Sequence, residues 1–440
     1  MLQPAPALDA DTVDFQSADD CVKDESDMNR GFYTVLAAQF LSALADNALL
    51  FAAIALLAQM SAPDWQVPVL QQFFVLSYIL LAPFVGAFAD SRPKGRVMFI
   101  SNAVKIAGCA LMLAGVHPLA AYAVVGLGAA MYSPAKYGIL TELLPAQKLV
   151  LANGWMEGLT VVAIVLGAIL GGVLISDRAS APWLGLLALA GIDARLHSAP
   201  ELAVAVLLAL YLAASVINLY IPALPAKHSP VRFGPLHLTG EFWRCFVLLW
   251  RDPLGQVSLA VTTLFWGAGA TLRLIILAWS SLALGFSLEQ ATQLTAVVAF
   301  GIAIGAAVAA KTVSIDHSVR VLPVGIAMGV AVCAVTFVTH TWIAVPLLVL
   351  IGACGGYFVV PMNALLQYRG HRLMGAGHSI AVQNFNENVS ILVMLGVYAL
   401  MIGAGVSVRT AVLAFGLFVA LSMTLIWRRH AHDQDAAPDG

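Results

Sequence analysis

Tyr132-Ser133-Pro134-Ala135-Lys136, leading on to Asn153-Gly154-Trp155-Met156-Glu157, returns later in the chain as Val360-Pro361-Met362-Asn363, leading on to Asn384-Phe385-Asn386-Glu387. The prolines stand 227 residues apart and the glutamates 230. The chain therefore carries one pattern in each of two halves. Apolar residues make up 60% of the 440 and charged residues only 10%, a balance that a soluble domain of this length cannot present as surface. The excess must face lipid, and at roughly 20 apolar residues per crossing the chain has room for about twelve helices and little else.

On either side of the repeat, apolar segments are expected at 32–59, 69–89, 97–115, 119–143, 150–175, 200–221, 254–279, 292–311, 321–339, 342–366, 377–402 and 407–427. Residues 182–192 are apolar but too short to span, and are expected in the interface or against the bundle. These segments divide the chain into an acidic, disordered cytoplasmic tail at 1–29, a six-helix half at 30–221, a cytoplasmic inter-half loop at 222–253, a second half at 254–428 and a tail at 429–440. The first tail lacks the apolar run of a signal peptide. The five cysteines have neither metal-ligand nor redox spacing and read as packing.

Lys and Arg fix the orientation. With the N-terminus in the cytoplasm, 17 of the 22 fall on that side. They are Lys23, Arg30, Arg92, Lys94, Arg96, Lys136, Lys148, Lys227, Arg232, Arg244, Arg251, Lys311, Arg320, Arg369, Arg372, Arg428 and Arg429. Arg178, Arg195 and Arg409 are left outside, and Lys105 and Arg273 lie inside apolar segments. Such a bias places both termini in the cytoplasm.

Five charges stand where hydrocarbon should be. Counted at about 1.5 Å per residue, Asp46 lies near the middle of the first segment and Lys105 deep in the third, with Glu157 and Glu387 well inside the fifth and eleventh. Arg273 is in the outer half of the seventh. A charge in hydrocarbon costs at least a few kcal/mol, so these residues are expected to face the bundle interior and find partners there. A cavity holding both signs suits a zwitterion, with bases binding a phosphate and carboxylates an ammonium. Gln39, Asn47, Asn153, Gln383, Asn384 and Asn388 add neutral hydrogen-bonding groups, although any one of them alone is more often a link to a neighbouring helix.

Two six-helix halves with a site between them at midplane are the plan of the major facilitator transporters. The turn Gly86-Ala87-Phe88-Ala89-Asp90-Ser91-Arg92-Pro93-Lys94-Gly95-Arg96 resembles the signature loop of that superfamily, with the Asp-to-Gly spacing two residues longer than usual. The resemblance implies that Asp90 latches neighbouring helices in one state, with Arg92, Lys94 and Arg96 around it. Gly167 with Gly171 and Gly301 with Gly305 have the spacing that lets backbones approach. In this architecture the fifth and eighth segments face each other, so these glycines are expected at the contact between halves; ordinary packing within a half is the competing reading.

A closer resemblance rests on five runs: Ala38–Phe51, Tyr132–Leu140, Phe265–Arg273, Val359–Gln367 and Ala381–Asn388. They are similar to the bacterial lysophospholipid transporters, over roughly residues 30–430. The acidic tail and an insertion around 178–200 depart from the family pattern. This resemblance implies an all-α membrane protein of the major facilitator fold, with twelve transmembrane helices in two six-helix halves. It implies a flippase of the Gram-negative inner membrane that moves lysophosphatidylethanolamine and related lysophospholipids from the outer leaflet to the inner one. A partner acyltransferase and acyl-carrier-protein synthetase on the cytoplasmic side would then restore the second chain. The substrate-binding set is expected to be Asp46, Asn47, Lys105, Glu157, Arg273, Gln383, Asn384, Glu387 and Asn388. No metal, cofactor or nucleic acid is called for, and the chain is expected to act as a monomer among membrane lipids.

Two other readings compete. An ion-coupled carrier of small amphipathic solutes uses the same fold, but pairing the acids with buried bases would hold them ionised. A membrane enzyme acting on the same lipid has only the His430-x4-Asp435 pattern to offer, in the polar tail with no core to position it.

Overall fold

A computed structural model describes residues 30–63, 65–176, 178, 180–182, 185, 198–223 and 234–435. The 1–29 tail, most of the 178–200 insertion with its apolar stretch, residues 224–233 with Lys227 and Arg232, and the final residues 436–440 lie outside that description. Among the described residues there are thirteen α-helices. The first six are α1 (Arg30–Gln59), α2 (Gln66–Asp90), α3 (Lys94–Leu113), α4 (Pro118–Leu143), α5 (Leu149–Leu174) and α6 (Ala199–Asn218). Then come α7 (Pro235–Arg251), α8 (Pro253–Leu284), α9 (Leu288–Thr312), α10 (Leu322–Val335), α11 (Thr341–Met374), α12 (Ala376–Gly403) and α13 (Val408–Asp435). Each of the twelve apolar segments coincides with one of these, most to within a few residues, but α11 and α13 run eight residues past the expected ends at 366 and 427, so that residues 429–435, expected as tail, continue the last helix.

Among the described residues, eleven spans are long and apolar enough to cross a membrane. The remaining segment, α4, is 26 residues long but dilutes its hydropathy with Tyr132, Ser133, Pro134 and Lys136. Those residues face protein, so the helix needs less apolar surface than its neighbours. Helix ends follow local chemistry. Ser198 and Glu201 form a capping box at the start of α6, Asp252 accepts the Gly255 N–H at 2.7 Å to start α8, and Gly285, at φ 66°, ends α8 in the left-handed conformation that suits glycine.

The inter-half connection is not all loop: residues 235–251 form α7. Its inward residues Leu238, Phe242, Cys245 and Leu249 recur every three or four positions, the period of a one-sided helix. That face packs with Ala82 of α2 and Val382 of α12, and Trp250 donates to Asn386 Oδ1. Helix α7 thus lies across the seam between α2 and α12. The pattern is present in the sequence but masked by the charged and proline-rich residues around it.

In the first half α1 packs on α5 and α6, and α3 on α4. In the second, α9 packs on α11, α10 on α13, and α8 on α12. The halves meet where α2 packs on α12 and α5 on α9. The glycine pairs do not make that contact, contrary to expectation. A methyl placed on Gly167 would lie 2.7 Å from Asn47 Cβ, and one on Gly171 2.9 Å from the Ala48 carbonyl, both on α1. Gly301 and Gly305 press on the Val349 and Ala353 carbonyls of α11. All four seal helices within one half. The close approach between halves falls instead at Gly154, where a methyl would lie 2.5 Å from Ala310 Cβ, and at Gly86, where it would lie 2.9 Å from His378 Cα. Small residues abound in all these helices, so spacing alone could not tell which neighbour each pair meets.

Gly305→Leu is therefore expected to break the second half rather than block motion. The side chain has only the α11 backbone to displace, and overpacking of that kind costs about 3 kcal/mol or more. Thermal unfolding in detergent should show a large drop, against little change for Gly269→Ala, where the glycine faces open space. A Gly305→Leu protein that melts with the wild type would refute the packing argument.

Candidate functional site: a charged cavity between the halves

Three helices supply most of the cavity, each through one face. Helix α1 presents Gln39, Ser42, Ala43 and Asp46, α4 presents Ala129, Tyr132, Ser133, Lys136 and Tyr137, and α12 presents Gln383, Asn384, Glu387, Asn388 and Ile391. These are i, i+3, i+4, i+7 spacings or close relatives of them, so one stripe of each helix faces inward. Tyr78, Lys105, Glu157, Thr160, Trp266 and Asn363 complete a cavity of about 260 Å³.

Asp46 and Lys105 form one unit. Lys105 Nζ donates to Asp46 Oδ2 at 2.7 Å and to Ser42 Oγ at 2.9 Å. Tyr211 OH donates to the other Asp46 oxygen at 2.7 Å, and Ser42 Oγ donates to Asn102 Oδ1 at 2.9 Å. The lysine is 1% exposed and lies over the rings of Tyr132 and Tyr211. Its charge is neutralised in place.

Glu157 and Glu387 belong to a second network that crosses the halves. Tyr137 OH and Asn363 Nδ2 donate to Glu157 Oε1, at 3.1 and 3.2 Å. Gln383 Nε2 donates to Asn363 Oδ1 and to Glu387 Oε1, at 2.9 and 2.8 Å. Among the described residues no cation lies within ion-pair distance of either glutamate. The expectation that every buried acid pairs with a buried base thus holds for Asp46 alone.

Beyond this network the halves are tied at one end. Asn384 Nδ2 donates to Ser133 Oγ at 2.9 Å, and Asn153 and Gln367 exchange two amide bonds. Asp90 accepts from the backbone N–H groups of Gly377 and His378, at 2.7 and 3.0 Å, and contacts His378 Nδ1 at 2.8 Å. A carboxylate of one half thus caps α12 of the other. Lys94 bridges Asp90 at 2.7 Å and Glu142 at 3.4 Å. Arg92 instead stacks over Phe88 of the helix before it, and Arg96 is exposed. Asp252 and Arg369 pair between the start of α8 and α11.

Of the expected substrate set, Asp46, Lys105, Glu157, Gln383, Asn384, Glu387 and Asn388 line the cavity. Asn47 does not; it donates to the Ala43 carbonyl at 2.8 Å and packs against Gly167. Arg273 is exposed, outside the lining, seven residues beyond Trp266 on the same face of α8 and so about 10 Å nearer the other end. Lys136 corrects the expectation in the opposite sense: its place in the sequence counts it among the surface charges, yet it lines the cavity. The signal is available, because Lys136 stands seven residues, about 10 Å, before the end of α4.

The family profile described as Major Facilitator Superfamily matches residues 35–394. The FucP transporter in its outward conformation is similar in structure at a TM-score of 0.70, with 15% identity over 91% of this chain and 98% of that one. A bacterial homologue of the iron transporter ferroportin gives 0.69, with 16% identity over 92% and 100%. Among curated relatives, the lysophospholipid transporter LplT of Serratia proteamaculans is 46% identical over 402 residues, 91% of this chain and 96% of the relative. That of Shigella boydii is 46% identical over 406 residues, 91% and 97%. Matched along nearly its whole length in sequence and in fold, the chain belongs to the major facilitator superfamily and, within it, to the lysophospholipid transporters.

Proposed function

We propose that this transporter, which is not an enzyme, carries lysophosphatidylethanolamine and related lysophospholipids from the outer to the inner leaflet of a bacterial inner membrane. The observation that carries this reading is the cavity: both signs of charge, about 260 Å³, sealed at one end by α2 against α12 and α5 against α9. It has the size and chemistry for a head group, with no room for an acyl chain beside it. A tail of about sixteen carbons gains on the order of 12 kcal/mol from staying in apolar surroundings, at about 0.8 kcal/mol per methylene. The economical path keeps the tail in lipid while the head crosses through protein. The sealed end carries Arg92, Arg96, Arg244, Arg251, Arg369 and Arg372, which favours the cytoplasm for that side. There an acyltransferase would receive the product.

The test is reconstitution of the whole chain in liposomes, following lysophosphatidylethanolamine between leaflets, with water-soluble glycerophosphoethanolamine as the comparison. The acylated lipid should move at least tenfold faster. Equal rates would favour a carrier of small solutes. A second reading, coupling to protons or sodium, is favoured by one observation: Glu157 and Glu387 face the cavity with no described cation at ion-pair distance. A rate that rises with an imposed ion gradient would support it.

A further inference from the structure

We propose that Lys136 is the group that holds the phosphate of the head group, and that the other cavity base, Lys105, does not bind substrate. This rests on the transport reading above. The two lysines differ in what already occupies them. Lys105 is engaged by Asp46, Ser42 and two aromatic faces, and an incoming anion would have to compete with a carboxylate at 2.7 Å. Lys136 has no ion pair among the described residues. Among the described residues its Nζ donates to Thr160 Oγ1 alone, at a long 3.3 Å, and sits 4.6 Å from the centre of the Tyr137 ring. An ammonium has three donors, so two remain for a ligand. The ring and hydroxyl hold the charge in place, and the Glu157 carboxylate acts on it across the cavity without direct contact.

Its surroundings match a phosphoethanolamine. Glu157, one turn before Thr160 on α5, and Glu387 opposite it on α12 line the same cavity. A phosphate on Lys136 therefore leaves an attached ammonium in the field of Glu387 and of Glu157, whose charge already interacts with that lysine beyond ion-pair contact. The same anchor would serve any lysophospholipid, because every member of the class keeps the phosphate while the alcohol esterified to it varies. Lys136 would then set the requirement for phosphate, and the acidic pair the preference among alcohols.

The experiment compares apparent affinities for lysophosphatidylethanolamine and lysophosphatidylglycerol in liposomes containing the full chain. Lys136→Met, which keeps most of the stem and removes the charge, should weaken both by tenfold or more, the loss of a charge-assisted hydrogen bond, and Lys136→Arg should restore most of it. In a background lacking the other cysteines, Lys136→Cys should regain affinity when treated with aminoethyl methanethiosulfonate, which adds a cation, and not with the neutral methyl reagent. Unchanged affinity in Lys136→Met, a loss confined to the amine-bearing lipid, or equal rescue by the neutral reagent would overturn the assignment. If the wild type moves neither lipid, it is the transport reading that falls instead.

Discussion

Asp46→Ala should abolish lysophospholipid transport and also lower the stability of the protein. The carboxylate accepts from Lys105 and Tyr211 on its two oxygens, and truncating it leaves Lys105 charged with only Ser42 and two rings for company. Breaking a buried pair from one side costs roughly 3–5 kcal/mol, most of it the penalty for the stranded partner. Thermal unfolding of the purified variant should show this directly. The double variant Asp46→Ala/Lys105→Met removes the stranded charge as well, so it should recover much of the stability. Transport should stay absent, because the carboxylate also faces the cavity. Recovery of both stability and transport in the double variant would reduce Asp46 to a structural partner of Lys105. Wild-type transport in spheroplasts by Asp46→Ala alone would remove it from the site.

Asp90→Ala should change turnover by about tenfold or more while moving apparent affinity less than about threefold. Asp90 lies at the sealed end and touches no cavity residue; its partners are the first N–H groups of α12, the His378 ring and Lys94. Losing a cap of this kind costs about 1–2 kcal/mol, and a charge at a helix N-terminus adds to that. Because the cap reaches from one half to the other, the cost falls on one conformational state only, and about 1.4 kcal/mol there is tenfold in its population. Lys94 keeps Glu142 as a partner, so the fold of the first half should survive. Steady-state kinetics and reagent accessibility of a cysteine placed at the sealed end would check it. Unchanged turnover with a large loss of affinity would contradict the latch.

Charges out of place are the most legible part of the site. Asp46, Lys105, Glu157 and Glu387 are conspicuous in apolar segments, since hydrocarbon tolerates a charge only where protein or water shields it, and all four line the cavity. Arg273 is equally conspicuous, yet the helix carries it about 10 Å past the lining. Lys136 escapes notice because it lies near enough to a segment end to pass for a surface charge. Asn47, adjacent to Asp46 in sequence, points about 100° away around α1 and meets Gly167 instead.

Read one segment at a time, the chain already dictates its twelve apolar stretches, its division into two halves, its family and the depth of each buried charge. Length, hydropathy and the rise per residue are properties of a single helix, and they need no knowledge of neighbours. Packing alone settles which acid finds a base, which glycines seal a half and which join the halves, and which lysine keeps donors for a ligand. Those outcomes depend on how each helix is rotated about its axis and which helix faces it. That rotation is set by close packing across the whole bundle, not by any segment alone.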